Sequence, residues 1–262
     1  MTERAAVHQQ VLGDLADESA DLLGLLERLE PGSWTTPTPA EGWSVHDQVT
    51  HLAHFDDAAR LALQDPDAFR AERDALLEVG AAFPDVLAER YRGMSAVAAL
   101  DWLRTARAAL LEVLGSTAPG TRMPWYGPDM GVTSCVTARL METWAHGQDV
   151  ADAVGVERVP TDRLRSVADL GVRTRAFAFA LHGRPVPEEP VHVALTGPGG
   201  DVWTWGPEEA PDRVTGPALD FCLLVVQRRH LRELDLVVVG PVATAWTEVA
   251  QAYAGAPGRG RA

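Results

Sequence analysis

Met141-Glu142-Thr143-Trp144-Ala145-His146-Gly147-Gln148-Asp149 is the stretch on which the reading of this chain turns. On a helix, Glu142 and His146 leave the same face one turn apart, with about 5–6 Å between their Cβ atoms. Met141 and Trp144 flank them with apolar bulk, and a charge buried among such residues needs a partner or a metal. Alone, the pair has an ordinary explanation, since a glutamate one turn before a cation is a common helix pair. Its meaning depends on what packs against it.

The nearest chemical match lies far upstream, in Gly42-Trp43-Ser44-Val45-His46-Asp47-Gln48-Val49-Thr50-His51-Leu52. Ser44 has the character of an N-cap, with Trp43 before it as a staple residue. The helix that follows would bury Val45, Val49, Leu52 and Phe55. If it packs on the helix expected over 134–153, then His51, Glu142 and His146 form a two-histidine, one-carboxylate shell. His54, one turn after His51, is the rival ligand. Asp47, one turn before His51, could orient that imidazole or simply favour the helix N-terminus. His8 and His46 stand near helix ends and are expected to face solvent. His192 falls in a strand, and His230 at the C-terminus of a helix, where a cation is favoured.

Around these two segments the first 150 or so residues read as helical, with apolar residues at helical spacing over 6–29 and 95–114. Pro31-Gly-Ser-Trp-Thr-Thr-Pro-Thr-Pro39 interrupts the pattern, and no helix can pass through it. A shorter helical excursion is expected over 65–90, and a Pro/Gly-rich loop containing Trp125 and Tyr126 over 115–131. Four long helices with one large interruption point to a four-helix bundle.

The second part reads as α+β. A helix over 161–181 precedes the alternating Val191-His-Val-Ala-Leu-Thr196, the turn Gly197-Pro-Gly-Gly-Asp201 and a returning strand, Val202-Trp-Thr-Trp205. A helix over 216–230, a strand over 234–239 and a helix over 242–253 complete it, followed by a loose Gly/Arg-rich tail from Gly255. The expected domains are 1–155, a metal-binding helical bundle, and 156–262, a smaller α+β domain with a β-hairpin and helices.

Composition narrows the function. The formal net charge is −14, from 23 basic and 37 acidic residues, which disfavours nucleic acid and anionic membrane as partners. No apolar run is long enough to span a bilayer and no charged-then-apolar leader is seen, so a cytoplasmic protein is expected, monomeric or homodimeric. The sequence contains no lysine, which excludes Schiff-base catalysis and a lysine-bearing phosphate loop. All 23 basic residues are therefore arginines, and anion recognition must use guanidinium groups. Cys135 and Cys222 lie far apart and read as reduced structural thiols.

The segment Trp34-Thr-Thr-Pro-Thr-Pro39, with Gly42 through Leu52 and then His146-Gly-Gln-Asp149, resembles the DinB-like metal-binding bundles over roughly 5–155. It looks most like their mycothiol-dependent maleylpyruvate isomerase branch. That resemblance implies a divalent ion, usually zinc, held at the positions of His51, Glu142 and His146, and mycothiol as cosubstrate. Leu195-Thr-Gly-Pro-Gly-Gly-Asp-Val-Trp-Thr-Trp-Gly-Pro207, Gly216-Pro-Ala-Leu-Asp-Phe-Cys222 and Ala250-Gln-Ala-Tyr-Ala-Gly255 resemble the C-terminal part of a related but distinct group of metal-binding proteins.

Two neutral imidazoles and one carboxylate leave a divalent ion with net positive charge and open positions, where a bound thiol is deprotonated. The expected function is a metal-dependent enzyme, an isomerase or S-transferase, that activates a small thiol against a small electrophilic substrate. One alternative is a thiol-independent Lewis-acid isomerase, cyclase or hydrolase acting on a carbonyl compound; another is a non-catalytic, metal-stabilised binding module. Arg228, after an apolar helix, is the candidate clamp for a substrate carboxylate, although an arginine there also suits a helix C-terminus. Trp125, Tyr126 and Trp144 are candidates for a pocket wall or for core.

Overall fold

In the computed structural model, residues 2–255 are described, and they divide into two compact units, Met1–Arg158 and Val159–Ala262. The expected loose tail lies, from residue 256 onward, outside the described residues.

Helix α1, Glu3–Leu26, starts where the Thr2 hydroxyl accepts from the Ala5 amide at 3.3 Å. A short 3-10 turn at Pro31–Thr35 buries Trp34 and carries the chain to α2, Val45–Gln64. Ser44 begins α2 with a reciprocal cap. Its hydroxyl accepts from Asp47 N–H at 3.4 Å, and its own N–H donates to Asp47 Oδ2 at 2.8 Å. The excursion divides into α3, Pro66–Leu77, and α4, Phe83–Tyr91, with Gly80 in a left-handed conformation between them. Helix α5 spans Ala96–Ser116 and α6 spans Val132–Val154, closed by a left-handed Gly155. Between them a two-residue ladder, β1 at Arg122–Met123 and β2 at Met130–Gly131, structures the expected loop.

Helices α1, α2, α5 and α6 form the bundle, α2 against α5 and α6, and α1 against α6 and α5. Two apolar clusters fill it. One contains Leu15, Leu110, Leu114 and Leu140; the other contains Leu22, Val45, Val49, Leu52 and Leu103. On α1, α2 and α5, the residues Ser19, Asp56 and Arg107 each fall between the contributions to one cluster and the other. Asp56 accepts from Arg107 and from Arg139 of α6, and Arg107 also donates to the Ser19 hydroxyl. This buried network ties all four helices together at one level.

The second unit opens with α7, Leu164–Arg173, and α8, Arg175–Leu181. The single helix expected there bends at Thr174, whose hydroxyl bonds back to the Leu170 and Gly171 carbonyls. Strand β3, Val191–Thr196, and β4, Val202–Trp205, form the expected hairpin. Strand β5, Asp212–Pro217, precedes a shortened α9, Ala218–Val225. The unit closes with β6, Val237–Val239, and α10, Pro241–Val249. The sheet order is β4-β3-β5-β6, with β3 and β5 parallel and the other pairs antiparallel. Strand β5 replaces an expected helix start and loop. Its burial alternates over 212–215, but apolar character does not, because the first buried position is Asp212, a cap that accepts from Val242 and Ala243 N–H of α10 at 2.7 and 2.8 Å.

Candidate metal centre

His51 leaves α2 and Glu142 and His146 leave α6 at the face where these helices pack. One ligand atom from each residue lies within 4.8 Å of the other two, a grouping that could hold a metal ion. Glu142 Oε2 is the shared point, 3.0 Å from His146 Nε2 and 3.9 Å from His51 Nε2. Two ligands each about 2.1 Å from a tetrahedral ion are about 3.4 Å apart, so these separations bracket what zinc requires.

Charge is arranged to suit a cation. His51 is held neutral, its pKa lowered to about 3, first by burial and then by repulsion from His146, with Glu142 opposing. Burial would raise the Glu142 pKa, but the hydrogen bond from His146 and the nearness of His51 outweigh it and hold the carboxyl well below 4.5. The set thus offers one carboxylate as its anionic donor.

Aromatic residues enclose these side chains. The His51 and His146 rings are 4.4 Å apart between centroids. Trp43 lies over both, 5.1 Å from His51 and stacked 6.0 Å from His146, with its indole N–H donating to Asp85 at 2.8 Å. Phe55 also packs on His51 at 4.6 Å and continues to Tyr126 at 5.3 Å, which stacks on Phe83. Trp125 stacks on buried Phe69, and Trp144 is buried. The sequence suggests only a helix staple for Trp43; its closeness to a ligand motif is the signal for this second role.

The remaining candidates resolve as follows. His54 lies outside the grouping, its Nδ1 3.1 Å from the Tyr91 hydroxyl and its pKa lowered to about 4, mainly by burial. Asp47 is occupied by the Ser44 cap and by Arg92 at 3.2 Å. His8 and His46 do not face solvent. His8 is fully buried, with Nε2 3.1 Å from the Leu114 carbonyl and Nδ1 3.0 Å from Thr133, because α1 packs its first turns against neighbouring helices. His46 is buried edge-on against Trp34. His192 lies in β3, as expected. His230 does not end a helix; α9 stops at Val225, and the His230 ring caps a 3-10 turn by accepting from Arg232 N–H at 3.1 Å. Arg228 belongs to the second unit, where its Nη1 donates to the Val226 carbonyl at 2.7 Å, whereas all three grouped ligands belong to the first. Cys135 and Cys222 are both buried, and burial pushes the Cys135 thiol up to about 12.

The first unit has the fold of the DinB-like helical bundles. Residues 15–151 match the family model described as mycothiol maleylpyruvate isomerase N-terminal domain, and the chain belongs to that family. Residues 187–239 match a second model, described as wyosine base formation, over the sheet of the second unit. Two uncharacterized proteins of Mycobacterium tuberculosis, from strains CDC 1551 / Oshkosh and ATCC 25618 / H37Rv, are each 48% identical over 251 residues, covering 95% of this chain and 97% of theirs. Crystal structures of the mycothiol-dependent maleylpyruvate isomerase share the fold. A histidine-to-alanine mutant superposes with a TM-score of 0.60, and the other structure with 0.58. Each is 14% identical, over 87% of this chain and 92% of that one.

Proposed function

We propose that His51, Glu142 and His146 hold a divalent cation, zinc foremost, and that the protein is an enzyme that uses it to activate a small thiol of the mycothiol type. The thiol would then add to, or be transferred to, a small electrophile, with isomerisation by reversible addition as one form. The convergence of three ligand atoms from two helices within 4.8 Å carries this reading. A bound ion would supply Lewis acidity and stabilise a thiolate at neutral pH.

The chain's own residues support the thiol being external. Cys135 is buried with its pKa pushed up to about 12, so it offers no thiolate near neutrality. Trp43 and Phe55 both pack on the His51 ring and present apolar walls to the site. Neutral His51 and ionised Glu142 are both ready to coordinate without first losing a proton. Arg228 is proposed to bind an anionic group of the substrate, in which case Arg228→Ala raises KM more than it lowers kcat.

Metal analysis of protein purified without chelator tests the metal, with stoichiometric zinc expected in the wild type and loss of it in His51→Ala. Metal-free protein that is folded and active overturns the reading. Cobalt-substituted protein then tests the thiol, which should produce a sulfur-to-metal absorption band. Cobalt bound without that change favours a thiol-independent Lewis-acid enzyme.

A further inference from the structure

We infer that Gln48 is a positioning residue for the metal centre, fixing which nitrogen of His146 faces the ion; this rests on the metal reading above. Gln48 is completely buried, and its side-chain Oε1 accepts from His146 Nδ1. At its other end, Nε2 donates to the Thr38 hydroxyl at 2.8 Å. The Thr38 hydroxyl donates in turn to the Trp43 carbonyl at 2.9 Å. That carbonyl has no hydrogen to give, so it terminates the chain and sets its direction.

Proton bookkeeping follows from the terminus. The Thr38 hydrogen is committed to Trp43, so the Thr38 oxygen receives one from the Gln48 amide nitrogen. The amide oxygen therefore faces His146, and Nδ1 must carry a hydrogen. Nε2, which shares its hydrogen with Glu142 in this structure, is then the nitrogen whose lone pair a metal would take in that hydrogen's place. Turning the amide over would draw the Thr38 hydrogen from Trp43. It would also leave Nδ1 bare and put a hydrogen on Nε2, where it blocks coordination. The helix-breaking Trp34–Pro39 segment and the α2 cap thus supply the hydrogen-bond support of a ligand on α6.

Zinc affinity of the full chain, measured by competition with a chromophoric chelator, compares wild type with Gln48→Leu and Gln48→Glu. Gln48→Leu keeps the bulk but removes the acceptor, and should weaken zinc binding about 10–100-fold. Gln48→Glu restores an acceptor and should return affinity to near the wild-type value, a rescue that general loss of packing would not show. Wild type that binds zinc, with Gln48→Leu within twofold of it, overturns the role of Gln48 and leaves the metal reading intact. Wild type that takes up no zinc overturns both. Should Gln48→Leu fail to fold, nitrogen-15 spectra of zinc-loaded wild type decide alone. A hydrogen on His146 Nδ1 is expected, and one on Nε2 instead overturns the inference.

Discussion

Arg107 grips Asp56 with two hydrogen bonds, Nε to Oδ2 at 2.6 Å and Nη2 to Oδ1 at 3.1 Å, and the two side chains are 3% and 0% exposed. Arg139 reaches the same carboxylate at 3.0 Å and stands one turn before Glu142 on α6. The ion pair that locks the bundle therefore also holds the helix that carries two of the candidate ligands.

Removing that carboxylate leaves two buried guanidinium groups facing each other without an anion. Asp56→Ala should destabilise the first unit by about 3–5 kcal/mol, the cost of breaking a buried pair from one side. Urea denaturation followed by tryptophan fluorescence measures it. A loss below about 1 kcal/mol, the scale of an exposed pair, contradicts the network's role.

Acid should weaken the metal-free protein earlier than ordinary carboxylate titration alone would. Below pH 6.5 the unfolded chain gains a proton at His51 that the folded state, with its pKa near 3, does not take. The stability is complete above pH 6.5 and is lost as pH falls toward 3. Glu142 acts in the same direction lower down, its contribution being present above pH 4.5 and lost as its depressed pKa is passed. Stability against pH should slope by up to about 1.4 kcal/mol per unit per group. His51→Gln should flatten the upper part of that slope; an unchanged slope in the variant rejects the assignment.

Zinc should stabilise the folded chain by mass action. At free zinc about 100 times Kd, the expected gain is about 2.7 kcal/mol, reversed by a chelator. Glu142→Ala removes the anionic donor and should abolish the shift in melting temperature. A full shift in that variant would place the ion elsewhere.

Thiol reagents should find almost nothing to modify in the native protein. Both cysteines are buried and their thiols are pushed above the ordinary range. Ellman's reagent should label both only after denaturant is added, and Cys135→Ala should keep activity with an added thiol. Loss of turnover in that variant, with the fold intact, would return the nucleophile to the chain.

Much of this was legible in the sequence because it rests on local periodicity. The long helices show their apolar stripes, Ser44 announces its cap, and Glu142 and His146 stand one turn apart on any helix. What stayed hidden depends on packing at long range. Gln48 looks like any polar helix residue until Thr38 and His146 close around it. His8 reads as a terminal histidine until Leu114 and Thr133 bury it. Strand β5 hides because Asp212 spends its side chain on the α10 cap, so its first buried position lacks an apolar residue of the kind that marks β3 in the sequence.

Helix α6 is the last bundle helix in chain order, and it brings two of the three grouped ligands. A growing polypeptide that has released only α1 to α5 therefore displays His51 by itself, without a set able to retain a cation. Completion of the site coincides with docking of α6, when the Asp56–Arg139 contact also forms. On the proposed metal reading, an ion bound to all three residues would therefore join α2 to α6 and favour the docked form of the last bundle helix.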